Sequence, residues 1–95
     1  MAIKTNRFDA AKYLETDEDI AAYLDEIFED GDPALVAEAL GAIARAKGMA
    51  DIAEQSGLGR TSLYKALSEG GNPEFATVMK VMKALGLNMK VAAAA

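Results

Sequence analysis

Helix start and stop signals divide this chain into segments that are too short for anything but a bundle of small helices. Asp32-Pro33 and Asn72-Pro73 each place a capping side chain directly before a proline, which is typical of a helix N-terminus. Gly31, Gly48 and Gly57 each follow an apolar segment, where a helix is expected to end. A chain of 95 residues has room for one domain. We therefore predict a single all-α domain.

About five helices are expected, because apolar residues recur at three- and four-residue steps within each segment and so share one helix face. Thr16 is expected to cap the first helix ahead of a carboxylate-rich first turn, and Asp30-Gly31 to end it. The expected helices span residues 17–30, 33–47, 49–56, 60–69 and 73–85. The residues expected to face the core are Ile20, Tyr23, Leu24, Ile27 and Phe28 in the first helix, Leu35, Val36, Ala39, Leu40, Ile43 and Ala44 in the second, and Phe75, Val78, Met79, Met82 and Leu85 in the last.

The two ends of the chain carry weaker signals. Phe8, Tyr13 and Leu14 precede the first helix and are expected to pack beside it as a short turn or helix. Apolar and polar residues alternate from Leu87 to Val91, which predicts a short strand over residues 87–92. A lone strand leaves its backbone hydrogen bonds unsatisfied, so the simplest partner is the same segment of a second chain.

Cysteine and histidine are both absent from the chain. Their absence removes disulfides, thiolate zinc sites and the side chain most often used as a general base near neutral pH. We therefore expect no enzyme activity, no cofactor and no metal site. The N-terminus lacks the apolar stretch of a signal peptide, and no segment approaches the roughly 20 apolar residues of a membrane span. A soluble, cytoplasmic protein with no membrane partner is expected.

The two halves of the chain differ in charge. Residues 1–40 carry three basic and eleven acidic side chains, a net charge of −8, whereas residues 41–95 carry seven basic and four acidic side chains, a net charge of +3. The acidic half is expected to attract a basic protein, in which case charge reversal at Asp25, Glu26 and Glu29 should slow the association. The alternative is that these carboxylates are only solvated outer faces of helices.

The segment from Met49 to Ser68 has the spacing of a helix-turn-helix. A small Ala53 suits the close crossing of two helices, and Gly57 supplies the left-handed backbone of a tight turn. Polar and basic side chains then occupy the start and outer face of the second helix, where they can meet base edges or phosphates in a major groove. The alternative is a helical hairpin packed for stability alone. The candidate DNA-binding residues are Arg60, Thr61, Ser62 and Lys65.

Residues 57–68, Gly-Leu-Gly-Arg-Thr-Ser-Leu-Tyr-Lys-Ala-Leu-Ser, resemble the recognition segment of lambda-repressor-like (Cro/CI) domains. Together with residues 17–23, 30–33, 42–49, 71–73 and 82–87, they resemble the probable addiction-module antidote proteins, the HigA-like antitoxins, over roughly residues 8 to 91. One departure is Ala50-Asp51, where relatives commonly carry Thr-Gln, a pair that caps the first helix and touches a phosphate.

The resemblance implies an antitoxin that neutralises a RelE/ParE-type ribonuclease toxin and represses its own operon by binding double-stranded operator DNA. A homodimer is expected, because two recognition helices on a palindromic site give useful affinity where one gives little. With the patterns above it predicts a lambda-repressor-like bundle over residues 1–95, with a helix-turn-helix core at 32–86, an acidic N-terminal helical extension at 8–30 and a short C-terminal strand at 87–92. Two alternatives remain open. The first is a stand-alone or phage-type repressor without a toxin, and the second is a helical interaction module that has lost DNA binding, which Asp51 and the acidic net charge favour.

Overall fold

The computed structural model describes residues 15–68 and 70–94. It confirms the predicted all-helical architecture with five helices in the described residues. Phe8, Tyr13, Leu14 and the start of the predicted N-terminal extension lie outside the described residues. The helices are α1 (Asp17–Asp30), α2 (Pro33–Lys47), α3 (Met49–Ser56), α4 (Arg60–Ala66) and α5 (Phe75–Ala84).

The first two helices begin and end where the sequence signals predict. The Thr16 hydroxyl accepts a hydrogen bond from the Asp19 backbone N–H at 3.0 Å, and the Asp19 carboxylate accepts one from the Thr16 N–H at 3.3 Å. Gly31 ends α1 in the left-handed conformation. The Asp32 carboxylate then accepts from the Ala34 N–H at 3.0 Å and begins α2. These interactions lie within four residues of one another, which explains why the sequence predicts them.

α2 is the central helix of the bundle. It packs against both α1 and α3, and α3 in turn packs against α4 and α5. The predicted stripe of Ala39, Leu40, Ile43 and Ala44 is buried, whereas Leu35 and Val36 are half-buried. Ala37, Gly41 and Ala42 are buried as well, so the middle of α2 is covered on every side. Small side chains suit such a helix, because neighbouring helices can then approach it closely.

α4 is shorter than predicted. It ends at Ala66, whereas its apolar pattern extends the expected helix to residue 69. The Leu67 N–H still donates to the Leu63 carbonyl at 3.0 Å, but the Ser68 hydroxyl then donates to the Lys65 carbonyl at 2.8 Å. Serine side chains that bond to the preceding turn compete with helix continuation, and the chain leaves the helix at this point.

α5 also differs from the prediction at its start and on its buried face. It begins at Phe75 rather than at Pro73, because Glu74 has extended backbone angles and is its N-cap residue. Val81, Met82 and Leu85 are buried and Val78 is half-buried, but Phe75 is 67% exposed and Met79 is 51% exposed. The expectation that Phe75 and Met79 face the core is therefore wrong. α5 is apolar on more than one face, and the stripe at 78, 81, 82 and 85 is the one that packs on the core.

The predicted C-terminal strand over residues 87–92 is absent, since residues 87–94 form no strand. Gly86 turns the chain after α5, and the Leu87 N–H donates to the Met82 carbonyl at 2.9 Å. Leu87 packs against the core, but Val91 is fully exposed. The segment finds no strand edge to pair with among the described residues, which are otherwise helices and turns. None of the described helices has the length and apolar composition needed to cross a membrane.

Candidate nucleic-acid interface

α3 and α4 are joined by a turn of three residues, Gly57 to Gly59. Gly57 has a φ of +75°, and no atom lies within 4 Å of the position a Cβ would take. Glycine is therefore needed in this turn because of the left-handed backbone conformation, and not because a side chain would collide with a neighbouring residue. The Leu58 N–H donates to the Ala53 carbonyl at 3.1 Å and to the Ser56 hydroxyl at 3.3 Å, which holds the chain close to the end of α3. The predicted role of Gly57 in a tight turn is confirmed.

Apolar side chains hold the second of these helices against the core. Leu63 is 1% exposed and Leu67 is completely buried, and Ile52 and Ala53 of α3 are buried beside them in the same core cluster. A Cβ on Gly41 of α2 would collide with the Leu67 carbonyl oxygen, so α2 and the end of α4 are in direct backbone contact. The orientation of α4 is therefore determined by packing with α2 and α3.

All four predicted DNA-binding side chains lie exposed on α4. Arg60, Thr61 and Ser62 form its first turn, and Lys65 follows one turn later on the same side as Thr61 and Ser62. Within the described residues, none of the four side chains forms a hydrogen bond or an ion pair. Arginine can donate two hydrogen bonds to a guanine edge, hydroxyls can bond bases or phosphates, and lysine can contact a phosphate. The helix therefore presents unpaired donors together on one surface.

A shallow concavity of about 450 Å³ lies beside the end of α4. Ser62 and Lys65 line one side of it, and Ser68 and Asn72 line the rest together with small residues. Gly71 also lines the concavity and lies directly against α4, because a Cβ at this position would collide with carbonyl groups of α4. The segment after α4 thus returns across its C-terminal end.

The electrostatic character of this surface is mixed. Arg60 and Lys65 are the charged residues of α4, and both are exposed. Asp51 and Glu54 are exposed on α3, so the two helices together carry equal numbers of acidic and basic side chains. Carboxylates near a phosphate backbone weaken non-specific affinity. Any binding to DNA by this surface must therefore depend on specific contacts more than on net charge.

Tyr64 is a candidate contact residue that the sequence analysis did not select. Its side chain is 42% exposed and lies one helical turn after Arg60. The helical spacing predicts that Tyr64 is exposed, because Leu63 and Leu67 form the buried stripe and Tyr64 lies outside it. Asn72, which follows the helix, was also missed, because its position beside Lys65 depends on the return of the chain. Among the described residues, no cluster of aspartate or glutamate side chains is arranged to hold a metal ion.

The fold and this surface define an all-helical protein in which a short, polar helix is held outward next to a glycine turn. A family model described as "Probable addiction module antidote protein" matches residues 4–93. An uncharacterized protein of Haemophilus influenzae is 54% identical over 84 residues, which are 88% of this chain and 87% of that protein. No solved structure matches the chain. The chain belongs to the family of probable addiction module antidote proteins.

Proposed function

We propose that this chain is the antitoxin of a type II toxin–antitoxin module, which neutralises a RelE/ParE-type ribonuclease toxin and represses its own operon. The family match over residues 4–93 supports the antidote role. An antidote must bind a toxin, and an RNA-cleaving toxin is expected to carry a basic surface. The acidic first forty residues, with a net charge of −8, suit such a partner.

The proposed operator contact is made by α4 of a lambda-repressor-like helix-turn-helix. Its support is the exposure of Arg60, Thr61, Ser62 and Lys65 on a helix that is held in place by buried leucines. Tyr64 and Asn72 join them as additional proposed contacts. A homodimer is part of the proposal, because two such helices on a palindromic site give far more affinity than one. The homodimer is checked by light scattering at micromolar concentration.

The toxin half of the proposal is tested with the full-length, tagged chain and the protein encoded by the adjacent reading frame. The two proteins are co-expressed, treated with nuclease and purified at high salt. The expected result is a stoichiometric complex that does not cleave RNA. The partner should cleave RNA after it has been separated from the complex and refolded. A partner that is never retained, or that lacks ribonuclease activity, would contradict the toxin assignment and favour a stand-alone repressor.

The operator half is tested separately, by fluorescence anisotropy with the DNA upstream of the operon and a scrambled duplex of equal length. A specific protein is expected to prefer its operator by roughly 10³-fold or more at physiological salt. Equal affinity for the two duplexes would refute the repressor role and leave the antitoxin role standing. The exposure of Asp51 and Glu54 favours this second candidate, an antidote that has lost DNA binding.

A further inference from the structure

A groove of about 450 Å³ runs between α1 and the segment that follows α5. Ala21 and Phe28 line it from α1, Leu87 and Met89 line it from the C-terminal segment, and Met82 and Leu24 lie beneath it. The groove is therefore bordered by two parts of the chain that are distant in sequence, and α4 contributes no residue to it. It is a different surface from the candidate nucleic-acid interface.

The groove has apolar walls, and none of the described residues covers them. Phe28 is 39% exposed and Met89 is 43% exposed, although both are large apolar side chains. Partly exposed apolar residues that converge on one concave surface are typical of binding sites, and the volume is within the usual range for them. The groove has room for one or two large side chains of a partner.

Carboxylates border the groove along α1. Glu18, Ala21, Asp25 and Phe28 follow one another at three- and four-residue steps, so they share one face of the helix. Glu18 and Asp25 form no ion pair within the described residues, whereas Asp17 at the same rim is paired with Lys47 at 3.2 Å. Lys90 is the cationic residue in the lining. The rim therefore retains a net negative charge, which favours a basic occupant.

The same charge argues against a second copy of this chain in the groove. A twofold interface centred on the groove brings the same surface of two molecules together, so the acidic rim of one copy would lie against the acidic rim of the other. Like charges placed opposite each other disfavour association.

The geometry points to this groove as the place where the toxin docks, through a segment that inserts an apolar side chain between Phe28 and Met89 and sets lysine or arginine against Glu18 and Asp25. This inference rests on the proposed antitoxin function and assigns its protein-binding surface. The occupant combines one apolar side chain with flanking positive charge. α4 remains available to DNA while the toxin is bound.

The test compares substitutions in the groove with matched substitutions one position away on α1. Ala21→Trp fills the groove, whereas Ala22→Trp places the same bulk on the exposed neighbouring face. Glu18→Gln with Asp25→Asn removes two rim charges, and Glu26→Gln with Glu29→Gln removes two charges of α1 that lie outside the groove. Each full-length variant is titrated with the adjacent-frame protein, purified from its complex with the wild-type chain, over a range of salt concentrations.

Filling the groove is expected to raise the dissociation constant by roughly 30-fold or more, because the occupant's central apolar contact is lost. Removing the rim charges should raise it roughly tenfold at low salt and flatten its salt dependence, mainly through slower association. Ala22→Trp should change it less than about twofold, since residues outside an interface contribute little. The Glu26/Glu29 pair should slow association at low salt but raise the dissociation constant less than the groove pair does.

Three outcomes would overturn the inference. Equal weakening by the groove pair and the Glu26/Glu29 pair would indicate diffuse attraction by the whole acidic helix. Loss of a dimer in the Ala21→Trp variant, with unchanged toxin affinity, would assign the groove to a second copy. A lower unfolding temperature for the groove variants, with unchanged toxin affinity, would assign it to the chain itself. Failure of the wild-type chain to bind the partner would instead refute the proposed function.

Discussion

α1 and α4 are both held by apolar side chains buried in the core, but they differ in length and in how they begin. α1 has 14 residues, and besides its buried apolar residues it has a capping box of Thr16 and Asp19 and an ion pair from Asp17 to Lys47 of α2. α4 has seven residues, and its N-cap residue Gly59 has no side chain with which to cap it. Isolated helices of that length are unstable in water, so α4 depends on tertiary packing. Its support comes from Leu63 and Leu67, which are buried in the core.

This difference explains how the two helices can serve different partners. On α1, some polar groups stabilise the helix, and the remaining carboxylates face solvent or the groove. On α4, Arg60, Thr61, Ser62 and Lys65 make no hydrogen bond or ion pair within the described residues, so they are available to a ligand. Substitutions at these positions should therefore separate stability from binding, and the following four predictions test that separation.

The largest effect is expected from the apolar support of α4. Leu67→Ala should lower the free energy of unfolding by about 2–5 kcal/mol, because a completely buried leucine leaves a cavity when truncated. Chemical denaturation followed by circular dichroism measures the change. Leu58→Ala, at a half-buried position in the turn, should cost less. A loss below about 1 kcal/mol for Leu67→Ala would mean that α4 is not held by the core.

Arg60→Ala should affect DNA binding and leave stability unchanged. If Arg60 reads a guanine, the specific binding free energy should fall by about 1–3 kcal/mol. Anisotropy titration with operator DNA measures this loss. Lys80→Ala, which removes an exposed cation from α5, is the control and should have a smaller effect on the operator than Arg60→Ala. Equal losses for the two variants would indicate a general charge effect rather than recognition by α4.

Two threonines near the starts of the two helices should respond in opposite ways. Thr16→Ala removes a capping hydroxyl and should lower the free energy of unfolding by about 1 kcal/mol, without changing operator binding. Thr61→Ala should change stability by less than about 0.5 kcal/mol and weaken operator binding instead. Thermal unfolding and anisotropy on the same preparations make the comparison. A destabilised Thr61→Ala would contradict the proposed separation.

The smallest effect is expected from the ion pair between α1 and α2. The Lys47 and Asp17 side chains are 38% and 60% exposed, so solvent and salt screen their attraction. A double-mutant cycle of Lys47→Ala and Asp17→Ala should yield a coupling of about 0.2–1 kcal/mol that declines as salt is raised. A coupling that did not change with salt would show that the pair is shielded from solvent.

The bounds of the N-terminal helices follow from local sequence signals, whereas those around α4 do not. The bounds of α1 and α2 were predicted correctly because capping side chains, Pro33 and Gly31 act on their immediate neighbours. The end of α4 and the start of α5 were placed wrongly, because the Ser68 hydroxyl bonds to the Lys65 carbonyl and because Glu74, not Asn72, is the N-cap residue of α5. The exposure of the four candidate residues on α4 follows from helical spacing. Asn72 was missed because it reaches the same concavity through the return of the chain across the end of α4.

The helical class, the five helices, most of their caps and the contrast in charge between the two halves follow from the amino-acid sequence. These properties depend on composition or on signals within one helical turn. The tertiary structure alone decided which apolar face of α5 is buried, how closely Gly41 meets the end of α4, and how α1 and the C-terminal segment form a groove. When a helix is apolar on more than one face, the face that is buried depends on the surfaces that pack against it, and those surfaces come from residues distant in sequence.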